Sequence, residues 1–137
     1  MIDYEQIKRT KDLIKIKVIG VGGGGNNAVN QMIVSDIDEV EYILVNTEKG
    51  ILERANTNGC KILQIGKEVA KGLGAGANPE VGKRAARESI NDIDKILNGT
   101  DLLFLTAGMG GGTGTGAIPV IAAEAKKRGI LTIGIVT

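Results

Sequence analysis

The chain has 137 residues, 42% hydrophobic and 24% charged, with a formal charge of +1. This describes one soluble folded domain and excludes a disordered chain or a dedicated nucleic-acid surface, which would need a concentrated basic patch. One cysteine, Cys60, and no histidine exclude an internal disulfide and a His/Cys zinc cluster.

In chain order, residues 3–12 are polar with sparse apolar positions and predict a short leading helix, an extension ahead of a domain over residues 13–137. Asp3, Glu5, Lys8 and Arg9 interrupt any signal peptide, and no apolar run is long enough to span a bilayer, so a cytoplasmic setting without membrane insertion is expected. Residues 14–19 predict a strand running into glycines at Gly20. Ala28, Val29, Met32 and Ile33 stand at helical spacing and predict a helix over residues 26–35. A second strand over residues 40–45 ends in Asn46-Thr47, and a brief helix over 48–54 leads to a third strand over 61–65 with Cys60 half-buried at its entrance. Residues 71–77 read as a loop closed by Asn78-Pro79, an N-cap followed by proline at the first helical position. One helix is predicted from residue 79 to 97, with Val81, Ala85, Ala86, Ile90, Ile93 and Leu97 inward and Asn98-Gly99 as its stop. Residues 102–105 predict a buried strand and 108–116 a glycine-rich turn. The following helix runs to Arg128-Gly129, with Pro119 early enough to cost little hydrogen bonding, and a last strand spans 130–136.

Strands alternating with helices, the later strands continuously apolar, predict an α/β, Rossmann-like three-layer sandwich on a parallel sheet. No helix follows the fifth strand, so the fold is expected to be truncated there, leaving an apolar edge that favours self-association.

Glycine is abundant, 21 residues against 2% aromatics, and it is clustered. Loops after the carboxyl ends of parallel strands form the ligand crevice of such sheets. The segment Gly20-Val21-Gly22-Gly23-Gly24-Gly25-Asn26-Asn27 fits G-x-G-x-x-G, a weak match because a glycine run satisfies many patterns. Its helix N-terminus nevertheless suits phosphate. Gly108-Met109-Gly110-Gly111-Gly112-Thr113-Gly114-Thr115-Gly116 is far more specific. Its glycines have no evident packing purpose, and its threonines offer hydroxyls to phosphate, to a metal shell or to a helix cap. Without a Gly-Lys-Ser/Thr ending it is not a P-loop, so backbone N–H groups, hydroxyls, the helix dipole and Mg2+ would carry binding. Gly74-Ala75-Gly76-Ala77 suits a γ-phosphate sensor or lid. Asn46-Thr47-Glu48 falls where dinucleotide enzymes place an acid on the ribose, but Asn46 ends the strand and Glu48 comes two residues late. The alternative is an NAD- or FAD-binding domain of an oxidoreductase, for which the first loop would suffice.

The string Gly110 to Gly116 is similar to the G-G-G-T-G-T-G signature of the tubulin/FtsZ superfamily. Gly20-Val21-Gly22-Gly23-Gly24, Asn46-Thr47, the segment from Gly72 to Pro79 and Thr106-Ala107-Gly108-Met109 also resemble its bacterial cell-division members, in order and spacing. The resemblance covers nearly the whole chain after the first dozen residues. It implies a GTP- and GDP-binding protein that polymerises head to tail into protofilaments of the division ring, meets other division proteins and hydrolyses GTP at a subunit interface. Carried over, Gly22, Gly23, Gly24, Gly25, Asn26 and Asn27 would form the first phosphate loop. Gly108, Gly110, Gly111, Gly112, Thr113, Gly114 and Thr115 would form the main one, with Gly74, Ala75, Gly76 and Ala77 near the γ-phosphate. Asn46 and Thr47 would lie beside the nucleotide and its Mg2+, and Thr137 would reach the ribose. Asn26 stands where the family's bacterial members usually have glycine, although Asn also tolerates the left-handed region, and Glu48 stands where that family usually has Asp. The family's guanine-contacting helix and catalytic loop correspond to no residue up to 137, so the resemblance implies no catalytic residue here and no hydrolysis by this chain alone.

Overall fold

A computed structural model describes residues 14–35, 39–55 and 59–137, so the leading helix expected over residues 3–12 lies outside the described residues. The strands are β1 (Ile16–Val21), β2 (Val40–Asn46), β3 (Cys60–Gln64), β4 (Leu102–Ala107) and β5 (Leu131–Val136). The helices are α1 (Gly22–Val34), α2 (Lys49–Arg54), α3 (Pro79–Glu88), α4 (Ile90–Leu97) and α5 (Gly112–Lys127). The sheet has the order β3-β2-β1-β4-β5, and every pairing is parallel. This is the expected α/β Rossmann-like fold.

Alternation along the strands divides the core in two. Ile19, Val21, Ile43, Val45, Leu103 and Leu105 face Ala85, Ala86, Ile93, Leu97, Ala117 and Ile121 of α3, α4 and α5. Val18, Tyr42 and Leu44 point the other way, onto Val29 of α1 and Leu52 of α2. With side chains of period two, each central strand serves both layers, and scarce aromatics leave the packing to branched aliphatics and alanine. Cys60 begins β3 at the margin of the second cluster, and burial pushes its thiol pKa up, away from the reactive thiolate. β5 pairs on one side only and exposes Leu131, Ile133, Ile135 and Val136. Among the described residues no helix is long and apolar enough to cross a membrane.

The structure departs from the sequence expectation at three helices. α1 begins at Gly22, four residues earlier than expected, and α5 at Gly112, so part of each glycine run is the first turn of a helix. Pro119 therefore falls two turns inside α5 rather than near its start, on an exposed side of the helix. The single helix expected over 79–97 bends at Ser89 (φ −99°, ψ 21°). The hydrogen-bond ladder continues through the bend, with Ser89 N–H to Ala85 O at 3.2 Å and Ile93 N–H to Ser89 O at 3.0 Å. The Ser89 hydroxyl is meanwhile drawn to Gly66, accepting its N–H at 2.9 Å. Of the expected inner face, Ala85, Ala86, Ile93 and Leu97 are buried, while Val81 and Ile90 are only partly covered.

Two contacts hold the sandwich at the level of individual atoms. α3 and α5 pack so closely that a Cβ on Gly116 would collide with the carbonyl oxygen of Pro79 and stand 2.6 Å from Lys83 N. Across the sheet margin the buried amine of Lys17 donates to Ile96 O at 2.7 Å and Asn98 O at 3.1 Å, placing a cation on the carbonyl end of α4. Gly116→Ala should lower the unfolding free energy by about 1–3 kcal/mol through overpacking, whereas Gly134→Ala, whose Cβ meets nothing within 4 Å, should stay within about 0.5 kcal/mol. Lys17→Met should cost about 1–3 kcal/mol by stranding two carbonyls. Chemical denaturation of the three variants checks these outcomes.

Candidate functional site

β1 and β4 are neighbours in the sheet, but the chain leaves β1 into α1 on one face and β4 into α5 on the other. The carboxyl ends of the two strands thus open a crevice, and a cleft of about 150 Å³ lies there. Its walls come from Gly22, Gly23 and Gly24 of α1, from Asn46 and Glu48 after β2, from Gly74 and Ala75, and from Gly108 and Gly111 to Gly114 at the start of α5. The three glycine segments picked out in the sequence, well separated along the chain, are brought to one place.

No lysine or arginine lines the cleft. α1 and α5 both start on it; their N-cap residues, Val21 and Gly111, make no side-chain cap bond, and neither first turn carries an acid. α3 differs: Asn78 Oδ1 accepts Glu80 N–H at 3.1 Å, and Glu80 lies in its first turn. Unpaired N–H groups and the positive ends of two helix dipoles therefore converge on the cleft, an arrangement that binds oxyanions. Glycine permits it. Gly22 has φ +73°, and a Cβ there would stand 3.0 Å from Gly114 N, so the two helix starts meet at the backbone.

The structure sorts the sequence-derived residues. Gly22, Gly23, Gly24, Asn46, Gly74, Ala75, Gly108, Gly111, Gly112, Thr113 and Gly114 line the cleft. Asn27 lies in an adjoining cleft of about 280 Å³ shared with Gly23 and Ile51. Gly25 is buried against Thr106 O, and Asn26 is turned into the protein. Thr47 is fully buried, its hydroxyl 3.0 Å from that of Thr113. Gly76 and Ala77, both with positive φ, lie outside the wall, as does Gly110, whose N–H donates to the Thr115 hydroxyl at 3.1 Å. Thr137 continues the sheet: its N–H donates to Ala107 O at 3.2 Å and its carbonyl accepts Met109 N–H at 2.7 Å.

The glycines without an evident packing purpose in the sequence have one in part. A Cβ on Gly112 would stand 2.6 Å from the Ala75 Cβ and 2.7 Å from Asn78 N, so this glycine seats the 74–78 loop as well as facing the cleft. Neither threonine caps α5, because Thr113 pairs with Thr47 and Thr115 holds Gly110. Val21 and Ile51 are wall residues that the motif reading passed over; their apolar side chains carry no binding signal in the sequence. Glu48 provides the one carboxylate of the cleft wall. Among the described residues no group of three or more His, Cys, Asp or Glu could hold a metal ion.

With this geometry established, comparison with known proteins gives the family. Residues 15–137 match the model of the Tubulin/FtsZ family, GTPase domain. Over 123 residues the chain is 56% identical to "Cell division protein FtsZ" of Coxiella burnetii (strain RSA 493 / Nine Mile phase I), covering 90% of this chain and 31% of that protein. A solved mutant FtsZ of M. jannaschii superposes with a TM-score of 0.85 at 40% identity, over 98% of this chain and 40% of the other. CetZ2 of Haloferax volcanii, solved as a GTPgS-bound protofilament, superposes with a TM-score of 0.76 at 26% identity, over 90% of this chain and 39% of that one. The chain thus spans between about a third and two-fifths of these relatives, and it belongs to the Tubulin/FtsZ family, within the GTPase domain.

Proposed function

We propose that this chain is the phosphate-holding portion of the GTP site of a filament-forming cell-division GTPase acting in the cytoplasm at the division site. The observation that carries the reading is the convergence of two uncapped glycine helix starts, α1 and α5, on one cleft. A nucleotide polyphosphate supplies the acceptors that those N–H groups lack. The cleft of about 150 Å³ suits phosphates rather than a whole nucleotide.

Gly22, Gly23 and Gly24 hold one side of the polyphosphate, and Gly108 with Gly111 to Gly114 hold the other. The 74–75 segment closes over its far end. The donor set fits a Mg2+ that takes most of its ligands from phosphate, since Glu48 offers one carboxylate and the wall no acidic cluster. A dinucleotide reading is not favoured. β2 ends on an amide, Asn46, that is already bonded to Asn26, and a glycine–threonine helix start faces the cleft from the other side.

With one carboxylate and no histidine in the wall, the site binds without a base array of its own, and hydrolysis belongs to a head-to-tail assembly in which a second copy completes it. The relative solved as a protofilament supports this form of self-association. Contacts with other division proteins belong to the assembled filament.

Thermal-shift and calorimetric titrations of this chain with GDP, GTP plus Mg2+ and NAD test the reading. A ligand present at a hundred times its Kd adds about 2.7 kcal/mol to apparent stability. Guanine nucleotides should stabilise and NAD should not; stabilisation by NAD alone would overturn the assignment. Gly23→Ala separates site from fold, because a Cβ there meets no protein atom within 4 Å. It should keep ligand-free stability within about 0.5 kcal/mol and weaken guanine-nucleotide binding at least about tenfold. Phosphate release from GTP by this chain alone should not exceed the enzyme-free background.

A further inference from the structure

Asn26 belongs to the glycine-rich segment, yet its side chain is committed elsewhere. It is 3% exposed, and its amide nitrogen donates to Gly20 O at 2.8 Å and to Val45 O at 3.2 Å. These two carbonyls belong to neighbouring strands, near the carboxyl ends of β1 and β2. Its oxygen accepts from Asn46 Nδ2 at 2.9 Å, and Asn46 Oδ1 in turn accepts the Glu48 N–H at 3.1 Å. The relay continues through the backbone, where Lys49 N–H donates to Gly72 O at 3.1 Å. A line of hydrogen bonds thus runs from Asn26 of α1 through the 46–48 turn to Gly72, at the head of the loop that carries Gly74 and Ala75.

We propose that Asn26 is a positioning residue for the nucleotide: acting through Asn46, it sets the turn that presents Asn46 and Glu48 to the phosphates. The proposal rests on the nucleotide reading above. Both amide hydrogens of Asn26 are spent on the protein, so none remains for a ligand. A buried amide is tolerated only when its bonds are made, and such bonds are directional. One amide that bonds two strand ends and a turn therefore fixes their relative placement, which an apolar residue of the same size cannot do. On the opposite side the Thr47–Thr113 hydroxyl pair ties the same turn to α5. Asn46, Thr47 and Glu48 are each held by a hydrogen bond, and Asn46 and Glu48 line the cleft.

The chemistry orders the variants. Asn26→Ala removes the relay and leaves Asn46 with an unpaired donor. Asn26→Asp is nearly isosteric but turns an acceptor toward two carbonyl oxygens, and should be the more damaging of the two. The experiment is calorimetric titration with GDP, at a temperature where circular dichroism shows each variant folded, together with hydrogen exchange of the Glu48 amide. Asn26→Ala and Asn46→Ala should each weaken GDP binding about tenfold, the loss expected for one directional bond. The double variant should bind no worse than the weaker single one, because both changes cut one chain. Exchange at Glu48 should accelerate in Asn26→Ala, although that substitution does not touch Glu48.

A residue serving stability alone would lower the melting temperature and leave GDP affinity unchanged in the folded variants, and that result would overturn the proposal. Losses that multiply in the double variant would also overturn it. If Asn26→Ala does not fold, Asn26→Ser, which loses the bond to Asn46, takes its place with the same tenfold expectation. An unsubstituted chain that binds no GDP would fail the nucleotide reading itself, whereas normal binding by the Asn26 variants would fail this proposal alone.

Discussion

Everything at the site depends on the departure of the chain from two adjacent parallel strands to opposite faces of the sheet. β1 hands over to α1 beneath, β4 to α5 above, and the gap between the departing backbones is left for a ligand. Because both helices begin in glycine, peptide groups make up much of the lining of the gap. The positive ends of the two helix dipoles come from the backbone, and unlike a histidine or lysine they do not titrate.

This construction places opposing demands on the same residues. Glycine is a poor helix former, costing about 1 kcal/mol per residue relative to alanine, and α1 and α5 each open with several. Tertiary contact offsets that cost. Gly25 and Gly20 let α1 lie against β1, and Gly112 and Gly116 let α5 lie against the 74–78 loop and α3. A Cβ at Gly25 or Gly116 meets packed backbone and one at Gly23 meets nothing, although all three belong to runs that look alike.

The strands, their order of appearance and the location of the cleft were legible in the sequence because they rest on strong local signals. Branched apolar runs mark β1, β2, β4 and β5, and Asn78-Pro79 marks the start of α3, where the expected cap is present. The helix starts were not legible at Gly22 and Gly112, since glycine carries no helical preference and the neighbours that impose helix there are distant in sequence. The bend at Ser89 answers to Gly66, a partner 23 residues away. The inward turn of Asn26 was hidden by the motif around it. Helical spacing held a clue, because Val29, buried in the core, lies three residues further along the same face. Val21 and Ile51 were invisible as wall residues because nothing in an aliphatic side chain announces a ligand.

The strand register bears on how the chain reaches this state. β1 and β2 are close in sequence, Ile16 pairing with Val40, but the other edge of β1 waits for β4, where Ile16 pairs with Leu102. Until some eighty intervening residues have been ordered, the central strand of the sheet is an edge strand, and the crevice has only one wall. Loop closure of that length must precede the contacts that reward it, so parallel sheets of this order fold slowly. During synthesis the α1 side can assemble as soon as β2 emerges, while β1 stays open to β4 for several seconds more at about 5–20 residues per second. For that interval the nascent chain carries an apolar strand with one edge unpaired, and the crevice becomes complete only as its last elements dock.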